Sequence, residues 1–410
     1  GEYDPGDQEC ESCPVGGYCP GGRRIRAEAG FWTPSEPSPF VGPCKVKEAC
    51  PGGPTAVCAE GYTGPCCSAC VEGYYSNFEG VCNKCESEDE QTTILALGTI
   101  GIIVLSFYLI LVVGFIFLSD ASLTNILIIL SGLQFQAALG RMAAGELPPD
   151  VALFFNYYSL VLIDVKFARP QCINSTINFV SVYYLTIYLY YTMTLISYIG
   201  LSIMLGIKMV LAKTAERRSY LCKWYGYRAL RVPLMMAYAF YYIFFLRSVQ
   251  SFLCRTQSGA PAFMGVLAYE NGDFSVVPYD KPAYLIADPG VTCAGPVYFS
   301  VVCVSLLILL VPITFMPLFS WILTLWQGTA YPGGLNAFWL RGTVGFFYTR
   351  YKVPQCYWYG FVRQIPLLIL AFCAIFLEDY PTIQFLVAFI PRCLILVVDI
   401  TLTPFRKRLQ

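Results

Sequence analysis

Arg247, Arg363, Arg392 and Asp399 stand inside otherwise apolar stretches, and these four side chains could do chemistry where they lie. A charge at the centre of a hydrocarbon layer costs roughly 2.5–3.5 kcal/mol on insertion scales, so each must face a partner, a bundle interior or a wet cavity. Such charges serve an ion or gating path, or else a structural salt bridge with snorkelling. Arg392 and Asp399 share a helical face, being seven residues apart. Arg363 and Asp399 lie roughly 9 Å and 5 Å deep from one membrane face at 1.5 Å per residue. Arginine can span that difference, so Arg363 is expected to pair with Asp399 in preference to Arg392. No arginine recurs every third residue, as in a voltage-sensing helix, and no ring of carboxylates suggests a cation filter.

The other reactive set is the 19 cysteines. Eleven fall at positions 10, 13, 19, 44, 50, 58, 66, 67, 70, 82 and 85, among glycines and prolines with few aliphatic residues. Such a segment cannot bury enough apolar surface to fold alone, and disulfides in an oxidising compartment are the usual remedy. The spacing of Cys10 with Cys13, and of Cys82 with Cys85, also suits a zinc knuckle. The adjoining apolar run and the glycine-rich turns favour disulfides. Histidine is absent, which removes the commonest zinc ligand and the ordinary general base at neutral pH. No catalytic, cofactor or metal residue is expected, and the chain does not read as an enzyme. With 27 basic and 27 acidic residues it offers no polyanion-binding surface, so nucleic acid is not an expected partner.

The elements that must position these residues follow from composition: 56% of residues are hydrophobic and 13% charged, which belongs to the membrane class. The run from Ile94 to Leu118 carries no charge and exceeds the roughly 20 residues a membrane-crossing helix needs. It divides a cysteine-rich ectodomain, residues 1–90, from an all-α transmembrane bundle, residues 91–410. Further spans are expected at Thr124–Leu139, Ile177–Leu211, Val232–Phe252, Val297–Trp326, Tyr357–Leu377 and Ile383–Leu402, seven in all. Thr124–Leu139 is short and contains Gln134 and Gln136, so topology decides it. The cluster from Lys213 to Arg231 is cytoplasmic by the positive-inside rule, and only a crossing there keeps the head outside. The N-terminus is then outside and the C-terminus inside, with outer loops at 146–176 and 253–296 and basic inner loops at 212–231 and 327–356. No signal peptide opens the chain, which predicts a processed or partial sequence.

With this topology Cys172, Cys254 and Cys293 join the eleven head cysteines outside, an even set that permits complete pairing. Cys254 and Cys293 are expected to bond across their loop, and Cys172 to bond a head cysteine. Cys222, Cys303, Cys356, Cys373 and Cys393 read as small buried residues. Asn174 opens a glycosylation sequon on the outer side, close to the third span. In that span Tyr184, Tyr188 and Tyr191 share a face, expected to pack between helices rather than form a ligand groove. Pro312 and Pro317 should kink the fifth span.

The stretches "CESCPVGGYCPGG" and "CPGGPTAVCAEGYTGPCCSACVEGYYSNFEGVCNKC" resemble the ephrin-receptor-like cysteine-rich modules, relatives of the EGF and laminin-EGF repeats. The resemblance covers most of residues 10 to 85 and breaks where Cys66 stands beside Cys67. From Leu133 onward the order of landmarks resembles a protist and algal family that joins such modules to a membrane domain similar to transient-receptor-potential-like channels. It rests on "LQFQAALG", Pro148 and Pro149, Cys172, the loop from Cys254 to Cys293, and "GFFYTRYKVPQCYWYGFVRQIPLLIL" with Gly345, Tyr348, Tyr351, Trp358 and Arg363. Relatives often carry an acidic residue and a second basic one where this chain has Gly360 and Gln364.

The chain fits three descriptions. It could be a channel-like or mechanosensory protein of the plasma membrane or flagellar surface, with residues 1–90 engaging an extracellular protein or glycan. It could be a structural anchor for a surface assembly, as a homo-oligomer or part of a larger particle. It could be a seven-span receptor, although no G-protein-coupled receptor motif is present. A hydrated path lined by Gln134, Gln136, Arg392 or Asp399 would favour the channel.

Overall fold

The computed structural model describes residues 2–3, 11–36, 38, 40–44, 46–55, 57–76, 80–85, 120–142, 162, 170–172, 178–256, 261–270, 273–277, 283–310, 314, 318, 321–326, 334–352, 356, 358–377 and 381–404. The chain divides into two compact units. One comprises Gly1–Gly98, Val165–Tyr184 and Arg247–Leu306, and the other Thr99–Asp164, Leu185–Leu246 and Leu307–Gln410.

The first unit opens with short antiparallel hairpins. Gly17–Gly21 pairs with Arg24–Ala27, Phe31–Trp32 with Gly42–Pro43, Tyr62–Thr63 with Ala69–Cys70, and Tyr74–Ser76 with Cys82–Lys84. Strands this short cannot hold together through ladders alone. Sulfur supplies the missing core: Cys44, Ala49, Cys50 and Cys67 form a buried cluster against which Trp32 and Tyr62 pack. Bonds join Cys13 to Cys19, Cys44 to Cys50, Cys58 to Cys67 and Cys70 to Cys82. Cys85 is bonded to Cys172, and beside that link the Ser76 amide donates to Gln171 Oε1 at 2.7 Å.

The region 253–296, expected as a loop, contains a six-stranded antiparallel sheet. In spatial order its strands are Asp273–Val276, Leu267–Glu270, Pro261–Phe263, Leu253–Arg255, Tyr284–Leu285 and Asp288–Thr292. Glu270 faces Asp273 across a hairpin, as the intervening Asn-Gly dipeptide favours. A bond between Cys254 and Cys293 staples the sheet. Gly265 has φ +66°, and a Cβ there would meet the Cys293 carbonyl oxygen at 2.3 Å, so only glycine fits against the staple.

The α-helices with defined bounds are α1 Asp120–Met142, α2 Phe179–Leu211, α3 Ala215–Gln250, α4 Gly295–Ile308, α5 Phe338–Tyr348, α6 Tyr359–Val362, α7 Ile365–Phe376 and α8 Pro381–Leu402. Among the described residues four helices, not seven, are long and apolar enough to cross a membrane: Phe179–Leu211, Ala215–Gln250, Tyr359–Phe376 and Thr382–Leu402. The expected second and fifth spans correspond to the shorter apolar helices Asn125–Gly140 and Gly295–Ile308. The expected first span, Ile94–Leu118, lies outside the described residues. Helix α4 runs to Ile308 and the chain continues in π-helical form over Leu309 and Leu310, short of the expected kinks at Pro312 and Pro317. The two prolines themselves lie outside the described residues.

The basic stretch expected as an inner loop is helical from Ala215 and runs on through Pro233 as one 36-residue element. Lysine and arginine are good helix formers, so a charge cluster marks a side of the membrane without ending a helix. The basic region 327–356 likewise holds α5. Helix α2 keeps 33 residues in one helix, about 50 Å long.

The most apolar window of α3 is 72% buried, against 17% for that of α2 and 11% for that of α8. The tyrosines buried along α2 are Tyr183 and Tyr190, not Tyr188 and Tyr191, which are 68% and 63% exposed. In the first unit the Tyr183 and Ser305 hydroxyls stand 2.7 Å apart, and Ser251 Oγ also donates to Ser305. Tyr184 meets Ser300 at 2.8 Å. In the second unit Tyr190 sets its ring edge-on against Phe240 and Phe244.

Candidate functional site

The second unit brings together three of the four charges: Arg363 caps the end of α6, and Arg392 and Asp399 lie on α8. Arg363 Nη1 donates to Asp399 Oδ2 at 3.2 Å, with side-chain exposures of 6% and 22%. Tyr359 supplies what no charge pattern reveals: its hydroxyl donates to Asp399 Oδ1 at 2.8 Å and lies 3.2 Å from the Ile395 carbonyl oxygen. Each carboxylate oxygen is therefore engaged, which is what a buried acid needs. Tyr359 and Arg363 are four residues apart and so reach the same carboxylate from one helical face.

The pair sits in a packed setting. Tyr351, Cys356, Tyr359 and Ile395 form a buried cluster with Ile128, Trp358, Val362 and Val398 around it. The Tyr351 ring stands edge-on to Tyr359 at 5.4 Å. Gly360 has no room for a side chain, since a Cβ would lie 2.0 Å from the Phe347 carbonyl oxygen. Here Tyr359 and Asp399 do the pairing. Gln384 Nε2 donates to the Cys373 carbonyl at 3.0 Å, linking α8 to α7.

Arg392 places its guanidinium carbon 5.5 Å from the centre of the Phe135 ring, and Gly132 leaves space for it, a Cβ there lying 3.5 Å from its Nη2. Gln134 is buried and donates to the Ala239 carbonyl at 2.8 Å, while Gln136 is exposed. Arg247 is buried in the first unit, its guanidinium carbon 5.7 Å from the Phe179 ring centre and its Nη1 3.5 Å from Gln250 Oε1.

A second basic group carries no signal in hydropathy. Arg231, 1% exposed, donates from Nε to the Gly342 carbonyl at 2.9 Å and from Nη2 to the Arg341 carbonyl, stapling α3 to α5. Arg228 lies over Trp224, its guanidinium carbon 3.7 Å from the ring centre. The interleaving of arginines with aromatic residues in "KWYGYRALR" is the trace these contacts leave in the sequence.

Of the cysteines singled out for pairing, Cys13, Cys19, Cys82, Cys85, Cys172, Cys254 and Cys293 are in disulfides. Cys10 and the sequon residue Asn174 lie outside the described residues. Cys66 is a free thiol. Both members of its doublet have positive φ, 52° at Cys66 and 50° at Cys67, and that turn gives Cys67 to Cys58. Burial pushes the Cys66 thiol up to about 11, against a smaller downward pull from Arg255. Cys356 and Cys373 are buried, Cys303 is half-buried, and Cys222 and Cys393 are exposed. Comparison with known proteins finds no matching family model, no matching curated protein and no matching solved structure.

Proposed function

We propose that the chain is a multi-pass cell-surface membrane protein, channel-like or mechanosensory, whose disulfide-rich region engages an extracellular protein or glycan. The observation that carries this reading is the Tyr359, Asp399 and Arg363 cluster on span-length apolar helices, with Arg392 two turns from Asp399. Ionisable groups at that depth are costly and serve conduction or gating in membrane proteins generally. The continuous α2 and the bonded Cys85 and Cys172 support a mechanical role, since load on a covalently tied head can reach a stiff element. Seven crossings, with the head outside and the tail inside, belong to the same proposal and rest on the placement of the basic clusters. The likeness to ephrin-receptor-like modules and to transient-receptor-potential-like channels is its analogical support.

A structural anchor is the second reading. It is favoured by the local pairing of Asp399, whose two carboxylate oxygens are taken up by donors of its own unit. Recording currents from the purified full chain in planar bilayers under voltage and membrane tension separates the two. The channel reading expects a conductance altered by Asp399→Asn or Arg392→Gln. Silence at all voltages and tensions sinks it and leaves the anchor.

A further inference from the structure

Within the second unit a half-open cavity of about 280 Å³ lies between α3 and α5. Three arginines line it, Arg228 and Arg231 of α3 and Arg341 of α5, and no acidic side chain does so among the described residues. Lys208 of α2 adds a fourth positive charge close by, its Nζ 5.7 Å from the centre of the Trp224 ring, which also lines the cavity. A recess lined by one sign of charge and walled by aromatic rings concentrates the field and draws in the opposite ion.

The cationic groups are positioned by the fold itself. Arg228 is held over the face of Trp224 at 3.7 Å, and Arg231, 1% exposed, is anchored by the Gly342 and Arg341 carbonyls. Those carbonyls carry no formal charge, so they fix the guanidinium without neutralising it. Gly342 permits the approach of α5, because a Cβ there would lie 2.8 Å from the Tyr227 Cβ. Phe338 then meets Tyr227 edge-on at 5.7 Å and completes the wall. Like charges gathered in one recess repel, and an anion seated among them relieves the repulsion.

We propose that this cavity binds the phosphate monoester group of an anionic lipid. Guanidinium forks match phosphate oxygens two at a time. A phosphate monoester presents three terminal oxygens and about 1.5 to 2 negative charges, whereas a carboxylate or a phosphodiester offers fewer of both. The volume lies just under the range of small-molecule sites, about 300–1,000 Å³, which suits a headgroup and leaves the acyl chains in the bilayer. Arg231 is followed directly by Val232, where the apolar length of α3 begins, and tryptophan and tyrosine favour the membrane interface. The recess therefore lies at headgroup level. This inference rests on the chain sitting in a bilayer, but it stands apart from the Asp399 cluster and does not require the chain to conduct.

The test is native mass spectrometry of the full chain in detergent micelles, titrated with phosphatidic acid, the simplest lipid of this kind, and in parallel with phosphatidylcholine and phosphatidylserine of the same chain length. One tightly held phosphatidic acid is expected, bound roughly tenfold more tightly than either of the others, as one further charge-assisted hydrogen bond implies. Arg341→Gln, at an exposed position, and Arg228→Gln should each weaken it about tenfold for the same reason. Lys213→Gln, in the same basic stretch but outside the cavity, should leave it unchanged. Equal binding of the three lipids, or a loss as large for Lys213→Gln as for Arg341→Gln, overturns the proposal. So does displacement of the lipid by an equal concentration of glycerol 3-phosphate, which would make the ligand a soluble phosphate ester. The comparison of lipids uses the unaltered protein, so a variant that fails to fold leaves the outcome decisive.

Discussion

Replacing Asp399 with asparagine removes a charge while keeping shape, and its cost can be worked from the geometry. Arg363 is 6% exposed, and its Nε has no hydrogen-bond partner among the described residues, so the contact at 3.2 Å from Nη1 to Asp399 is what answers its charge there. Removing one partner of a fully buried pair costs about 3–5 kcal/mol, chiefly through the stranded charge. Asp399 is 22% exposed, and an asparagine would still accept from Tyr359, so the expected loss is smaller, about 2 kcal/mol. The double change Arg363→Gln with Asp399→Asn leaves no stranded charge and should cost no more than Asp399→Asn alone. The implied coupling is on the order of 1–2 kcal/mol. Reversible unfolding of the full chain in mixed micelles, followed by tryptophan fluorescence, measures both. A loss under about 0.5 kcal/mol for Asp399→Asn, or additivity in the double variant, would refute the pairing energetics.

Gly360→Ala should destabilise the same unit by at least about 2 kcal/mol, because the new Cβ would sit 2.0 Å from a backbone oxygen that has no easy retreat. A thermal midpoint within error of the parent's would show that the Phe347 carbonyl can move away. Cys66 should react with iodoacetamide roughly a hundredfold more slowly at pH 8 than an ordinary thiol, since only the thiolate attacks. Its rate should keep rising with pH towards about 11, burial having raised the thiol from 9.0. A plateau near pH 9, read by mass spectrometry of the Cys66 peptide, would contradict that burial.

Several features of the molecule were legible along the chain because they depend on local composition or on depth. A glycine-rich segment dense in cysteine has no means of folding except cross-links, and the head carries them. Cys254 and Cys293 close one loop, so their bond follows once that loop is placed on the oxidising side. Arg363 and Asp399 could be matched because their distances from helix ends fix their depth, whatever the crossing angles. The interior of the basic stretch at 215–231 was legible only as charge, and charge does not say where a helix stops.

Tertiary structure decided what composition leaves degenerate. Which head cysteine meets Cys172 depends on the path of the hairpins, and that path selects Cys85 while the positive-φ turn at the doublet gives Cys67 a partner and leaves Cys66 free. Six strands arise within 253–296 because short β segments are stabilised by cross-strand neighbours, most of them in the next hairpin arm and one pair, Cys254 opposite Leu285, from the two ends of the region. Tyr359 becomes the second donor to Asp399, and Gly360 indispensable, only once α6 is pressed against Phe347 and α8. The aromatic-walled cavity beside Gln364 exists only because side chains separated by more than a hundred residues meet around it, and no local pattern in the sequence encodes such a space.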